Sequence, residues 1–461
     1  MFIADLHIHS KYSRATSGEC VPEMLDLWAR RKGLHLIGTG DFTHQKWREE
    51  LREKLIPAGD GLYALKKEYQ IREEIPGQEL APRFVVTGEI SSIYKKNGKV
   101  RKVHNVIVLP SLECGDALAR RLEAIGNLHS DGRPILGLDS RDLLEITLET
   151  CPQAIFIPAH IWTPHFSLFG AYSGFDRIEE CFEDLTGHIH ALETGLSSDP
   201  PMNWRLSMLD RFTLVSNSDA HSPGNLAREA NLFDTELSYP HIAAALAGWE
   251  ERGFAGTIEF FPEEGKYHWD GHRNCKVCQR PTDTLAAGGL CPVCGGKVTV
   301  GVLSRVEELA DREEGFTPDA AKRFERIVPL PEVIASSAGV SPASVKVCKI
   351  YDELIHTLGP ELFILREAPL PDIQRHAGAL VAEGIRRLRA GLVEVSPGFD
   401  GEYGKVKLFD KGEAELLGSQ LTFIPAEEVP ASSPEDSPEP PSSLPEEEPT
   451  QERTPEASFP I

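Results

Sequence analysis

Between Met1 and His221, short apolar runs end again and again in histidine, aspartate or glutamate. Phe2-Ile3-Ala4-Asp5-Leu6 leads into His7-Ile8-His9, and Leu34 to Thr39 leads into Gly40-Asp41-Phe42-Thr43-His44. Phe84 to Gly88 ends in Glu89, Ala154 to Pro158 in Ala159-His160, Ala191-Leu192 in Glu193, and Phe212 to Ser216 in Asn217-Ser218-Asp219-Ala220-His221. Segments with helical spacing lie between them, such as Pro22 to Lys32, where Gly33 is a natural stop. Strands alternating with helices, with ligand-type residues at the strands' carboxyl ends, suit a parallel α/β barrel or sheet whose site lies at that face. On the opening strand His7 and His9 stand at i and i+2, so both imidazoles project to one side, as a shared metal needs.

His104 breaks the pattern, because it stands at the start of its strand, Val103 to Leu109. If that strand forms a hairpin with the one ending at Glu89, His104 returns to the same face as Glu89. The connection carries Lys95, Lys96, Lys99, Arg101 and Lys102 around an Asn97-Gly98 turn signal. These are the candidate DNA-binding residues, the alternative being a solvated turn.

At 461 residues the chain accommodates two or three domains. No stretch approaches the ~20 apolar residues of a membrane span, and Met1 leads directly into a strand, so a soluble cytoplasmic protein with no membrane partner is expected. Of nine cysteines, Cys275, Cys278, Cys291 and Cys294 form two Cys-x-x-Cys pairs. Their spacing predicts a tetrahedral four-cysteine ribbon around one structural zinc. Net charge is −23, of which the tail from Ala426 to Ile461 supplies −9 and the rest of the chain −14. DNA binding would therefore depend on local basic patches.

The motifs Asp5-Leu6-His7-Ile8-His9-Ser10, Gly40-Asp41, Gly88-Glu89, His104-Asn105, Pro158-Ala159-His160 and Ser218-Asp219-Ala220-His221 together resemble the polymerase-and-histidinol-phosphatase (PHP) metallophosphoesterases. The resemblance implies a distorted seven-stranded α/β barrel with two or three divalent ions (Zn, Mn or Mg). It also implies the ligands His7, His9, Glu89, His104, His160, Asp219 and His221. Ala15 stands where many members have a further histidine, and Phe42 where histidine follows the aspartate; Asp41 or His44 is the candidate for that second vacancy. Several ions clamp a phosphodiester and activate water without a nucleophilic side chain. In that scheme Glu89 bridges, while Asp219 and His221 hold the ion nearest the nucleophile or leaving group.

The expected organisation is a PHP barrel over 1–235, a connector over 236–265, the zinc ribbon over 266–300, a mostly helical C-terminal domain over 301–425, and a disordered acidic Pro/Ser/Glu tail over 426–461. Helices are predicted over Glu332 to Ala338, Ser341 to Leu358 and Asp372 to Ala390, followed by a hairpin of Leu392 to Ser396 with Lys405 to Phe409. This order resembles the endonuclease Q family over residues 1 to about 425. The matching segments are Gly38 to His44, His268-Trp269-Asp270-Gly271-His272 and Pro397 to Gly404. The resemblance implies nicking on the 5′ side of a deaminated base (uracil, hypoxanthine or xanthine) or of an abasic site. The rivals are a small-molecule phosphoesterase like histidinol-phosphate phosphatase, which needs neither ribbon nor basic hairpin, and a non-catalytic DNA-binding adaptor.

Two segments stay open at this level. Pro164 to Phe175 mixes aromatics with hydroxyls and suits either an everted base or barrel packing. Gln420-Leu421-Thr422-Phe423-Ile424 resembles the short peptide by which bacterial repair enzymes dock on the sliding clamp, the alternative being a closing strand of the C-terminal domain.

Overall fold

The computed structural model describes residues 1–77, 81–250, 252–410, 412–414 and 417. Twelve strands precede the cysteine segment: β1 (Phe2–Asp5), β2 (Leu36–Gly38), β3 (Leu55–Pro57), β4 (Tyr63–Leu65), β5 (Arg83–Lys96), β6 (Lys99–Leu109), β7 (Ile135–Leu136), β8 (Ile155–Pro158), β9 (Ala191–Glu193), β10 (Thr213–Val215), β11 (Ala230–Phe233) and β12 (Phe254–Glu259). β13 (Asp270–His272) and β14 (Val277–Gln279) lie in that segment, and β15 (Arg323–Arg326), β16 (Glu394–Ser396) and β17 (Lys405–Lys407) follow it. The fold is mixed α/β. One large sheet runs β15-β12-β11-β1-β2-β5-β4-β3, with β6 on β5, β8 on β6 and β7 also on β5. Because β1, β2 and β5 are parallel, the residues that follow β1 and β2 lie at one edge, beside Glu89 in the middle of the longer β5.

The sheet does not close into the expected seven-stranded barrel. β9 and β10 pair only with each other, in parallel. On one side of that pair, side-chain amides replace a backbone ladder: Asn217 Oδ1 accepts from Leu6 N at 2.8 Å, and Asn231 binds Ser216 N and O at 3.0 and 2.8 Å. On the other side Ile161 N donates to Glu193 O at 3.0 Å. The strands nevertheless share one interior, filled by Ala4 and Leu6, Leu36, Val85, Val106 and Val108, Ile157, Ala191 and Val215. Alternation sends the intervening residues, such as Ile37, Phe84 and Val86, into the outer core beneath the helices. The main sheet also takes in β12 and β15, from beyond residue 235.

The predicted β5–β6 hairpin forms, but its strands run on to the Asn97-Gly98 turn, so Glu89 lies in the middle of β5 rather than at its end and His104 lies inside β6 rather than at its start. Asn97 and Gly98 both have positive φ, 52° and 73°, which the right-handed twist of a two-residue hairpin requires. Ser91 pairs with His104, so His104 and Glu89 share a face. The predicted helix at Pro22–Lys32 is present and stops at Gly33, φ 88°. Toward the carboxyl end, helices occupy Leu330–Ala338 and Val345–Thr357. The helix predicted over Asp372 to Ala390 is instead two, Leu370–Ala377 and Ala379–Arg389, broken at Gly378, where φ 88° and ψ 163° are not helical. β16 and β17 form the expected hairpin.

Candidate metal centre

Asp41, His160 and Asp219 have φ of 50°, 29° and 47°. Such values are strained for residues with a side chain and gather at functional sites. Each turns the chain just beyond a strand end, so its side chain meets the loop after β1. There His7 Nδ1 faces both carboxylate oxygens of Glu193 at 3.0 Å, and His9 Nδ1 faces Asp41 Oδ1 at 3.1 Å. His160 Nδ1 lies 3.1 Å from Thr163 Oγ1. These contacts orient the rings and leave each Nε2 for the interior of the cluster.

All three Nε2 atoms converge on Glu89. Its Oε2 lies 3.6 Å from His7 Nε2 and 3.4 Å from His9 Nε2, and Asp219 Oδ1 lies 3.6 and 3.0 Å from the same two nitrogens. Glu89 Oε1 lies 2.5 Å from His104 Nδ1 and 3.1 Å from His160 Nε2. Two ligand-type groups result, His7-His9-Glu89-Asp219 and Glu89-His104-His160, each with its donor atoms within 4.8 Å of one another. Glu89 contributes to both.

His7 Nε2, His9 Nε2 and Asp219 Oδ1 are buried and have no hydrogen-bond partner. An unsatisfied buried polar atom costs about 1–3 kcal/mol, and three facing one point are what a divalent cation relieves. The electrostatics agree. Burial opposes the charge on His7, but Glu193, Glu89 and Asp219 hold it well above the ordinary imidazole range. Burial likewise works against ionised Glu89, and His104 and His7 keep it well below the usual carboxylate range. His104 is pushed down to about 4 by burial, against the pull of Glu89, so at neutral pH its ring is uncharged and has a lone pair to give.

Other expected ligands are placed differently. Asp41 accepts from Ser10 N, Ser10 Oγ and Ser13 Oγ and faces His9, so it braces a ligand. His44 stacks on Tyr12 at 4.3 Å and stands outside both groups. His221 lies at the rim, where its ring is 4.5 Å from that of His9 and its Nδ1 donates to Asp219 O at 2.8 Å. Arg133, which no sequence motif marks, donates from Nη1 to Glu89 Oε2 at 3.1 Å.

The basic hairpin divides. Lys96 pairs with Asp139 and Glu183 at 3.1 and 2.7 Å. Arg101 is buried, its guanidinium 4.1 Å from the Phe175 centroid and donating to Gly174 O. Lys95 and Lys99 are exposed, and Lys102 lies over Phe166, whose ring leans on His104. The aromatic segment divides as well. Phe169 and Phe175 are core, whereas Thr163, Pro164, His165 and Tyr172 line a cavity of about 1340 Å³ shared with Asp219 and His221.

In the cysteine segment, the donor atoms of His272, Cys275, Cys291 and Cys294 lie within 4.8 Å of one another. Cys278 is not among them. It lies on β14 opposite Gly271 of β13, where burial and Asp270 push its thiol up to about 11. Burial disfavours the Cys291 thiolate, but the backbone N–H groups of Cys294 and Val293, with His272, bring this thiol down to about 6. A histidine thus stands where the spacing predicted a fourth cysteine. Gln420 to Ile424 lie outside the described residues. Among those described, no helix is long and apolar enough to cross a membrane.

Comparison with known proteins adds to this geometry. Residues 329–392 match the family described as MJ0043 C-terminal domain. The chain is 29% identical over 424 residues to the uncharacterised protein YqxK of Bacillus subtilis, covering 88% of this chain and 98% of that one. It superposes with TM-score 0.76 on a lesion-specific endonuclease, PfuEndoQ from Pyrococcus furiosus, at 29% identity over 88% of this chain and 95% of that one. A complex of endonuclease Q with a 27-mer duplex carrying an abasic lesion at the active site matches at 29% identity, with TM-score 0.75 and coverage of 89% and 97%. The structural agreement runs almost end to end in both molecules, so over nearly its whole length the chain is similar to endonuclease Q.

Proposed function

We propose that this chain is a DNA-repair endonuclease that hydrolyses the phosphodiester on the 5′ side of a deaminated base or an abasic site. The observation that carries the proposal is the pair of ligand groups joined through Glu89, one member of which, Asp219, lines a cavity of about 1340 Å³. That volume exceeds the 300–1,000 Å³ or so usual for small-molecule sites and suits a nucleotide together with flanking backbone.

His7, His9, Glu89 and Asp219 would hold one ion, and Glu89, His104 and His160 a second. Divalent cations there supply Lewis-acid activation of water and of the phosphodiester. The chain's own part is positioning. Glu193, Asp41 and Thr163 keep His7, His9 and His160 from rotating. Asp219 and His221 reach the cavity wall, where the scissile phosphate would lie. Tyr267 and Tyr403 also line the cavity, with Lys266 Nζ 5.7 and 5.8 Å from their ring centroids. Together with the stacked His165–Tyr172 pair, whose centroids are 4.6 Å apart, these rings offer stacking surfaces for a base turned out of the duplex. The cysteine–histidine group would carry one structural zinc.

The test compares metal-loaded protein on duplexes containing uracil, hypoxanthine or an abasic site, on undamaged duplex, and on a panel of phosphate monoesters. Metal-dependent nicking confined to the damaged duplexes is the expected result. Turnover of monoesters alone would return the chain to the small-molecule class, and binding without any hydrolysis would make it an adaptor.

A further inference from the structure

We propose that Arg133 is a catalytic residue that grips the scissile phosphate, an assignment resting on the endonuclease reading above. Its guanidinium is anchored where the ligands converge and opens toward solvent. Nη1 lies 3.1 Å from Glu89 Oε2, and the Arg133 side chain is 25% exposed whereas that of Glu89 is 0% exposed. Among the described residues, no other arginine or lysine forms an ion pair with a member of either ligand group.

The turn beneath it is fastened to the loops that set the histidines. Gly132 N donates to Tyr12 O at 2.9 Å, and Gly132 O accepts from Thr43 Oγ1 at 3.1 Å. Asp131 Oδ1 accepts from the backbone N–H groups of Arg14 and Arg133, each at 3.1 Å. A Cβ at position 132 would come within 2.3 Å of Asp41 Oδ2 and 2.6 Å of Ser13 Oγ, so only glycine lets the turn lie against the pair that braces His9. Beyond Arg133, Pro134 O accepts from Ser91 N at 3.0 Å, and β7 pairs with β5 at Ser91, two residues from Glu89. Arg133 is therefore registered against the strand bearing Glu89 and against the loops bearing His9 and Asp41.

This placement has a chemical use. Glu89 already faces four imidazoles, and cations held by both groups would share its charge, leaving the five guanidinium donors largely free. A planar fork of N–H groups fits two non-bridging oxygens of a phosphate, which a lysine does not reproduce. In the hydrolysis, a water oxygen bonds to phosphorus as the P–O bond to the leaving oxygen breaks, and water's protons are divided between the new phosphate and that leaving oxygen. Charge gathers on the oxygens that Arg133 would meet.

The experiment uses full-length protein loaded with Mn²⁺, with Arg133→Ala and Arg133→Lys beside the parent. Three quantities are read: the single-turnover rate on an abasic-site duplex, bound metal by elemental analysis, and the rise in melting temperature caused by inorganic phosphate. Arg133→Ala should lose about 10²–10³-fold in rate, keep its metal, and lose the phosphate-induced rise; Arg133→Lys should fall between it and the parent. Loss of metal, an unchanged rate, or a phosphate response equal to the parent's in both variants would overturn the assignment and leave Arg133 a counter-ion for Glu89. A parent protein inert on every lesion duplex would instead sink the endonuclease reading.

Discussion

The cluster around Glu89 and the cysteine–histidine group gather ligand-type atoms by opposite means. In the first, ligands arrive from loops as far apart as His7 and Asp219, and most of them are buried beside a large apolar core. In the second, everything lies between His272 and Cys294, β13 and β14 have three residues each, and Cys294 is exposed. The first is braced by the core around it, whereas the second would depend on a bound ion to organise it. Ligand loss should thus stop chemistry in one region and folding in the other.

The largest expected effect is at Glu89. Replacing Glu89 by Gln, or His9 by Ala, should lower nicking by roughly 10³-fold or more, because each change removes a donor from a multi-ligand site. The melting temperature should stay within a few °C of the parent, since the apolar interior is untouched. Cleavage rates paired with thermal melts check this, and a collapse in melting temperature would erase the contrast between the two regions. In the cysteine group, Cys291→Ser should release one equivalent of zinc and expose the segment to proteolysis while the Glu89 cluster keeps its ions. Cys278→Ser should leave zinc content unchanged, because Cys278 stands apart from the other donors. Equal zinc loss in both would restore the four-cysteine arrangement.

A smaller effect is expected on the hairpin, where packed and free cations lie side by side. Neutralising Lys95, Lys99 and Lys102 should lower the salt-dependence slope of DNA binding by about 0.9 for each phosphate no longer neutralised. Changing Lys96 and Arg101 should instead cost stability and leave the slope alone, as their charges are committed to Asp139, Glu183 and the Phe175 face. Binding titrations at several salt concentrations separate the two sets.

Whatever depends on local pattern is legible in the sequence. Apolar runs ending in His, Asp or Glu locate most strand ends, though not that of β5, which continues past Glu89 to Lys96, and Asn97-Gly98 sets the hairpin that brings His104 to Glu89. What depends on three-dimensional closure is not legible. The motifs imply a seven-stranded barrel, but two amides, Asn217 and Asn231, stand where a backbone ladder would have closed the sheet. Asp41 and His44 are equal candidates in the sequence; only the left-handed turn at Asp41 aims one at His9, while the other ring settles on Tyr12. Arg133 leaves no trace, because an Asp-Gly-Arg turn looks like any surface loop. His272 closes the segment His268-Trp269-Asp270-Gly271-His272, yet Cys-x-x-Cys spacing assigns its place to Cys278.

The smallest effect concerns carboxylates that no imidazole steadies. Glu259 and Glu229 are fully buried, and each has an oxygen without a hydrogen-bond partner. Glu259 Oε2 accepts from Thr194 Oγ1, which Val215 O shares, and from Ser216 Oγ, at 3.3 and 3.2 Å. Glu89 is held ionised by its histidines; these two are driven the other way. Burial first, with Asp199 adding to it, raises Glu259 to about 8, and burial with Glu259 raises Glu229 well above the carboxylate range. For a group whose pKa is higher folded than unfolded, stability is fully present below the unfolded value of 4.5 and is lost as pH rises through about 8. The parent should therefore melt progressively lower between about pH 5 and pH 8.5. Glu259→Gln keeps an acceptor for Thr194 and Ser216 but cannot ionise, so its melting temperature should fall less over that range. The expected difference is on the order of a few °C, read from thermal melts at a series of pH values. Identical slopes for parent and variant would mean that Glu259 is already charged in the fold, and would remove the distinction drawn between these carboxylates and Glu89.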